Sequence, residues 1–527
     1  MNRRHRQNEK RNFKFTTGYI IAWHGSLIYH GGKAGERESL VAYWESPPYG
    51  TYAPWIQNTF PRDAWLAVRS YLHLVDNSTQ RYHRGSPRYD PLFKVRSAMD
   101  HIIKNMQKYW IAGMKICIDE SMIKYMGRAI SFVQYMPLKP IKHGIKVFAA
   151  CCAYTGHVLC FEVYLGKGVG GIDSSALEVV DRLLRNGNLI TCTGRILYTD
   201  NWYTSTKLAF HLYNTYKWLF VGTIAPTEKK NRQDYDIPFQ KLSKQALEQI
   251  PRGWSRRATV KIPHRGNQKQ GMVQVTTWKD KKQVMFVHTH LVEPIGNNVT
   301  KRYVKGKKGR VEIDCPSVVP EYSKFMNGVD RNDRDSRDNS VSIRTNRWYL
   351  RIWFWIMDRV CHCTYISVCN IATKGIREDW KKYLSKQNGR KRFQIDLGLL
   401  LMEYGIRLDW KDVSTRKNKP KWMRQTDLKP CNCRKCFFCK EEITNGIYHL
   451  KRTYYTKKEK ECSGVREPFE RSSHCCVCWR TRAITHPSES SYQRRLSMSK
   501  YPKMGCVNCN ERVCKECWPT YDHPNSK

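Results

Sequence analysis

The sequence predicts an α/β fold, and three observations predict it. Two short apolar runs each stop on an aspartate, Ile116-Cys117-Ile118-Asp119-Glu120 and Ile196-Leu197-Tyr198-Thr199-Asp200. Between them Leu177, Val180, Leu183 and Leu184 recur at helical spacing. After the second run, residues 205–213 read as a helix and 218–224 as a further strand.

Strand, hairpin partners, helix, strand, helix, strand is the order of a ribonuclease H-like α/β core. Seven segments surround and include it. Residues 1–17 are a basic arm carrying Arg3, Arg4, Arg6, Lys10 and Arg11. Residues 18–110 are helical: Ile20, Ile21, Trp23, Leu27 and Ile28 suit one buried helix, and Pro61 starts another in which Trp65 is a core residue. Residues 111–227 hold the first part of the core, with Arg128–Tyr135 expected to pair with the first strand. Residues 228–318 are expected to form a β-rich insertion domain, because runs such as Met272-Val273-Gln274-Val275 alternate and Lys and Arg punctuate them. Residues 319–380 return to helix and complete the core. The apolar stretch 348–372 in this part carries Arg351, Asp358, Arg359 and His362, which suits a buried helix and not a membrane span. Residues 381–430 are a basic helical or linker segment, and 431–527 form a Cys-rich domain.

Composition narrows the partner. Lys and Arg number 92 against 46 Asp and Glu, a formal charge of +46 spread over most of the 527 residues. Such an excess repels itself in a compact particle unless it meets a polyanion, and nucleic acid returns entropy through released counterions. No amphipathic anchor argues for a membrane, and the N-terminus lacks the apolar core of a secretory signal. The expected location is the nucleus, inferred from partner and charge.

The acidic strand ends point to chemistry. Hard oxygen ligands suit Mg²⁺, which uses one or two protein carboxylates and takes its other oxygens from water and phosphate. A third acidic place, Gly328-Val329-Asp330-Arg331-Asn332-Asp333, puts Asp330 and Asp333 on one face of a helix. The same run, with Asp335, Asp338, Arg331, Arg334 and Arg337, also reads as a salt-bridged solvated helix. Lys139, Lys142 and Lys146 follow Asp119 closely enough to grip a phosphate backbone; a solvated loop is the alternative. Gly166-Lys167-Gly168-Val169-Gly170-Gly171 lacks the spacing of a phosphate loop and reads as a turn.

Taken together, these motifs resemble piggyBac-type transposases. The match is carried by Asp119 in Ile-Asp-Glu, Gly127-Arg128, the loop from Pro137 to Lys146 and Thr199-Asp200-Asn201-Trp202-Tyr203-Thr204-Ser205. It continues through Trp278-Lys279-Asp280, Gly328-Val329-Asp330-x-x-Asp333 and Thr345-Asn346-Arg347-Trp348, and spans about residues 19–370. The resemblance implies a homodimeric cut-and-paste DNA transposase with a DDE/D-type core. Asp119, Asp200 and Asp330 would bind two Mg²⁺ ions, with Asp333 supporting the site. Asn346 and Arg347 would join the lysines on DNA. The double-stranded substrates implied are transposon terminal repeats and a TTAA target. Paired metals activate an attacking oxygen and stabilise the leaving one, so no covalent enzyme intermediate is needed. A host-domesticated DNA-binding protein, acting in chromatin or programmed DNA rearrangement, is the alternative. Two departures are visible: the segment before Tyr19 is shorter than the acidic arm common in the family, and Arg334 stands where Gln is frequent.

Twelve of the 21 cysteines lie between Cys431 and Cys517, which in a basic protein with no secretory signal argues for Zn²⁺ over disulfides. Thiolates two residues apart can bite one tetrahedral ion. Cys475, Cys478, Cys514 and Cys517 would hold one, and Cys506, Cys509 and His523 another, with His474, Cys476 and His486 open as the eighth ligand. The family has a Cys-rich DNA-binding tail; a RING-like module is the competing reading, and neighbouring Arg480, Arg482, Arg494, Arg495 and Lys500 favour DNA. Cys431, Cys433, Cys436 and Cys439 are either a further zinc site or free thiols.

Overall fold

The computed structural model describes residues 15–33, 40–45, 53–167, 175–225, 241–261, 272–289, 298–373 and 388–413, less 81, 84, 305, 307 and 308. It also describes residues 173, 384, 466–468, 504–506 and 511–512. The expected basic arm before residue 15 and nearly all of the Cys-rich tail, with the side chains of its zinc ligands, lie outside the described residues.

In chain order the helices are α1 (Thr17–Lys33), α2 (Pro54–Thr59), α3 (Arg62–Tyr71), α4 (Phe93–Tyr109), α5 (Ala176–Asn186) and α6 (Thr206–His211). There follow α7 (Lys244–Gln249), α8 (Val318–Phe325), α9 (Gly328–Arg337), α10 (Trp348–Thr373) and α11 (Gly389–Val413). The strands of the main sheet are β1 (Lys115–Lys124), β2 (Val133–Tyr135), β3 (His143–Cys152), β4 (Val158–Val163) and β5 (Ile196–Thr199). The remaining four are β6 (Leu219–Ile224), β7 (Ser255–Lys261), β8 (Met272–Lys279) and β9 (Gln283–His288). Among the described residues no helix is long and apolar enough to cross a membrane.

The chain forms two compact units, one made chiefly of Leu27–Leu40 and Leu72–Gly398, the other of segments up to Ser26, Val41–Tyr71 and from Leu399 onward. The described part of the second unit is helical, apart from three short strands, Arg466–Pro468, Met504–Cys506 and Glu511–Arg512, that form a small antiparallel sheet. Trp23, Trp44 and Trp65 pack ring to ring, and the Trp65 indole N–H donates to Ser26 Oγ at 2.8 Å. Trp65 is buried, as expected of a core residue. Gly18 lets α1 meet α11 backbone to backbone: a Cβ there would lie 2.1 Å from the Gly405 carbonyl oxygen.

The first unit is built on a nine-stranded sheet in the order β2-β3-β1-β5-β6-β9-β8-β7, with β4 also paired to β3. β1 is antiparallel to β3 and parallel to β5, and β5 is parallel to β6. β3 is the partner of β1 because residues 145–152 form a nearly unbroken apolar run, buried throughout, as a central strand must be. The stretch expected to pair with β1 yields only Val133–Tyr135, which hydrogen-bonds to β3 instead. β9 pairs with β6 and carries β8 and β7 beyond it, so the expected insertion adds three strands to the main sheet. Within that segment β10 (Asn298–Tyr303) and β11 (Arg310–Cys315) form a two-stranded ribbon apart from the main sheet.

Alternation along β1 covers both faces. Ile116 and Ile118 join Phe148, Ala150 and Leu197 in the core that Val179, Val180, Leu183 and Leu184 of α5 and Leu208 and Ala209 of α6 complete. Truncating Leu183 or Leu184 to Ala in such a site costs about 2–5 kcal/mol. Cys117 faces the other way, against α9. A Cβ on Gly328 would sit 2.4 Å from Cys117 Sγ, so a glycine is what lets α9 start this close to the sheet.

Candidate active site

Asp119 lies inside β1, paired with Ala149 of β3 on one side. On the other side the ladder has just ended, because the last pair between β1 and β5 is Ile118 with Thr199. From Asp119 onward no strand among the described residues pairs with that edge of β1, at the carboxyl end of the parallel strand β5. Open α/β sheets bind ligands at such ends. Asp200 follows Thr199 immediately and is held in place. Its Oδ1 accepts the Trp202 N–H at 2.9 Å, and its carbonyl accepts the Thr204 N–H and hydroxyl at 3.1 and 2.6 Å.

Carboxylate oxygens of Asp119, Glu120 and Asp200 all lie within 4.8 Å of one another. Asp119 and Glu120 are only 6% and 7% exposed. Burial, and then the charge of Glu120, push the Asp119 carboxyl well above its ordinary range; the same two causes raise Asp200. Two lysines answer this charge. Lys139 and Lys146 each place Nζ 3.9 Å from Glu120 Oε1. Burial alone would push the Lys139 ammonium down, but Asp119, Glu120, Asp330 and Asp200 together outweigh it and raise it. Lys146 is 9% exposed and sits 4.8 Å from the Phe148 ring centre and 4.7 Å from that of Trp202. There burial dominates and lowers it.

Asp330 and Asp333 arrive on α9. Arg331 donates to the Ala153 carbonyl at 2.8 Å and Asn332 to that of Gly156 at 2.8 Å, which pins this helix on the β3–β4 turn. Asp330 is exposed and, among the described residues, no hydrogen bond or ion pair holds it. It borders a cavity of about 220 Å³ with Asp333, Arg334, Arg337, Lys139 and Glu120. Glu120 therefore belongs to both the acidic cluster and the cavity that Asp330 faces. Asp330 is not one of the three carboxylates grouped within 4.8 Å. Asp333 is committed elsewhere: its Oδ1 accepts from Ser121 Oγ at 2.8 Å and from the Arg359 guanidinium. Asp335 and Asp338 pair with Arg390, at 3.3 and 2.8 Å. Asp335 and Asp338 are thus tied to α11, whereas Asp330 faces solvent and the cavity.

The other candidate positions fall as follows. Lys142 is exposed, whereas Lys146, expected on a loop, is a buried β3 residue. Asn346 is exposed, and its carbonyl accepts the Tyr125 hydroxyl at 3.3 Å. Arg347 is half-buried and donates to the Leu72 carbonyl at 3.3 Å. Asp280 is paired with Arg252 and Arg302. Glu120 is the residue that sequence reasoning left without a role. Its signal was the Asp-Glu doublet itself, Asp119 followed directly by a second carboxylate.

The family model described as Transposase IS4 matches residues 1–363. PiggyBac transposable element-derived protein 2 of Homo sapiens is 24% identical over 357 residues, covering 66% of this chain and 54% of that protein. PiggyBac transposable element-derived protein 3 of Homo sapiens is 25% identical over 296 residues, covering 55% and 45%. The chain thus spans about half the length of the curated relatives it matches. In fold it is similar to the piggyBac transposase of a cryo-EM synaptic complex with hairpin DNA. The TM-score is 0.57 at 20% identity, over 98% of this chain and 91% of that one. With a mixed α/β sheet, an acidic cluster at its open edge and a family match over more than half its length, the chain belongs to the Transposase IS4 family, and its likeness is to piggyBac-type proteins.

Proposed function

We propose that the protein is a DNA transposase of piggyBac type, an endonuclease and strand transferase built on a ribonuclease H-like core. The observation that carries this is the meeting of Asp119, Glu120 and Asp200 at the open edge of β1, with Asp330 bordering the adjoining cavity. Burial and the charge of Glu120 hold the Asp119 and Asp200 carboxyls above their ordinary range, so the three carboxylates are a donor set short of positive charge, and a hard divalent cation fits it. Asp119, Asp200 and Asp330 would hold two Mg²⁺ ions, which when bound supply Lewis-acid activation of the attacking oxygen and stabilisation of the leaving one.

The chain's own residues do the rest. The Asx turn at Trp202 fixes the Asp200 carboxylate, and the Asp333–Arg359–Ser121 contacts fix α9 against β1 and so the position of Asp330. Lys139 lines the cavity, and it and the exposed Lys142 would take the phosphate backbone of double-stranded DNA together with Asn346 and Arg347. Terminal repeats and TTAA targets as substrates, a homodimer, nuclear location and a zinc-bound tail through Cys475, Cys478, Cys506, Cys509, Cys514, Cys517 and His523 complete the proposal. The tail assignment rests on cysteine spacing.

The two human relatives are named as transposable element-derived proteins, which favours a second reading: a host-adopted DNA-binding protein serving chromatin or programmed rearrangement. Inverted repeats and TTAA duplications flanking the gene decide between the two. The test of the first reading is excision of those flanking ends in Mg²⁺. The wild type cuts and the Asp200→Asn variant binds ends without cutting; cutting by the variant overturns the assignment.

A further inference from the structure

Among the described residues, Glu120 is the buried carboxylate without a close partner, where Asp119, Asp358 and Asp409 each accept a hydrogen bond at 3.0 Å or less. Its nearest donors stand at long range: Lys139 Nζ and Lys146 Nζ at 3.9 Å from Oε1, and the Tyr203 hydroxyl at 3.5 Å from Oε2. Charge-assisted hydrogen bonds close to about 2.7–2.9 Å when a carboxylate is properly satisfied. Asp333, by comparison, is clamped by Ser121 at 2.8 Å and by Arg359. A carboxylate that is 7% exposed yet only loosely held retains acceptor capacity, and it lies within 4.8 Å of the Asp119 and Asp200 oxygens. Burying a charge in that state is costly unless something else completes it.

We infer that Glu120 is a direct ligand of the divalent cation held by Asp119 and Asp200, and that Lys139 and Lys146 are positioning residues that aim it. This rests on the proposed metal-dependent reading and gives a ligand role to Glu120, which the assignment of the ions to Asp119, Asp200 and Asp330 leaves without one. The strand geometry permits it. β5 stops opposite Ile118, so the side chains of Asp119 and Glu120 reach the uncovered edge of β1 from opposite faces of the sheet. The lysines hold Glu120 without closing on it. They leave its oxygens open to a cation, which a tight ion pair would not. Tyr203, buried and stacked edge-on against Trp202 at 4.6 Å, forms the wall behind it.

The test uses the full chain and Mn²⁺ as probe, with binding followed by titration calorimetry and by the shift of the thermal midpoint. Glu120→Gln is compared with wild type, Asp119→Asn and Glu120→Asp. The inference expects Glu120→Gln to weaken Mn²⁺ binding by at least about tenfold, the size of effect seen when a group that orients a bound metal is lost. It also expects Glu120→Asp, which keeps the carboxylate, to recover part of that loss. A metal-free thermal midpoint no lower than wild type shows that Glu120→Gln is folded. Binding by Glu120→Gln within about twofold of wild type, alongside a clear loss in Asp119→Asn, overturns the ligand role and leaves the metal-dependent reading standing. Equal binding by wild type and Asp119→Asn overturns both.

Discussion

The two pairs of acids in this molecule come from motifs that look alike in the sequence and live in different surroundings. Asp119 and Asp200 sit on or beside strands, the first held by backbone register and the second by its turn, and burial with the charge of Glu120 raises both carboxyls. Asp330 and Asp333 come from a helix held by side chains reaching to carbonyls of the β3–β4 turn, and only one of them is free to face a ligand. A sheet edge supplies fixed, electrostatically costly ligands, and a helix face supplies one adjustable ligand beside one structural anchor. Metal sites need both kinds of support, because the groups that bind must be oriented by groups that do not.

This contrast can be broken in four ways, taken from the largest expected effect to the smallest. Asp119→Asn or Asp200→Asn lowers strand cleavage by at least about a thousandfold, about 4 kcal/mol of transition-state stabilisation, while end binding persists. A gel assay that separates cutting from binding checks it. Arg359→Met leaves Asp333 with an unanswered charge and costs about 3 kcal/mol of stability in urea titration. Asp330→Asn, exposed and unpaired, stays within about 0.5 kcal/mol of wild type in the same titration. Equal effects from these two variants would erase the distinction between anchor and ligand.

The third concerns pH. Asp119 and Asp200 have folded values raised above their unfolded ones, so the folded chain holds more protons than the unfolded chain across that window. By linkage, their contribution to metal-free stability is present at low pH and is lost as pH rises through the raised values. Above that window, Asp119→Asn has a metal-free thermal midpoint about 2–4 °C higher than wild type, roughly 1 kcal/mol for a long chain. The gap narrows on acidification, as differential scanning fluorimetry across pH would record. The fourth and smallest effect is on DNA binding. Lys142→Ala reduces the slope of log affinity against log salt by about one, as expected for a single lost phosphate contact; an unchanged slope removes Lys142 from the interface.

Much of this was legible in the residues. Apolar runs leading into Asp marked both sheet-borne acids, and α5, β5 and β6 fall where periodicity predicts them, but β1 runs on to Lys124 and does not stop at Asp119. What was not legible depends on which strands become neighbours. Nothing local says that β9 will pair with β6, so residues 228–318 looked like a separate body when β7, β8 and β9 belong to the main sheet. Lys146 reads as a loop lysine until β3 is seen to begin at His143 and bury it beside Phe148 and Trp202. Glu120 was visible as the second acid of the doublet, but its place beside Asp200 depends on β5 ending opposite Ile118, which no local pattern announces. The commitment of Asp333 is a contact with Arg359, 26 residues on, and a sequence run cannot reveal it.

The central claim is that the carboxylates at the open edge of β1 share a divalent cation. Crystals of the full chain soaked in Mn²⁺ and measured at an anomalous-scattering wavelength test it most directly. The account predicts a manganese peak bonded to oxygens of both Asp119 and Asp200, absent from an Asp119→Asn crystal. A map with no peak between those two side chains, at Mn²⁺ concentrations that support DNA cleavage, would contradict it.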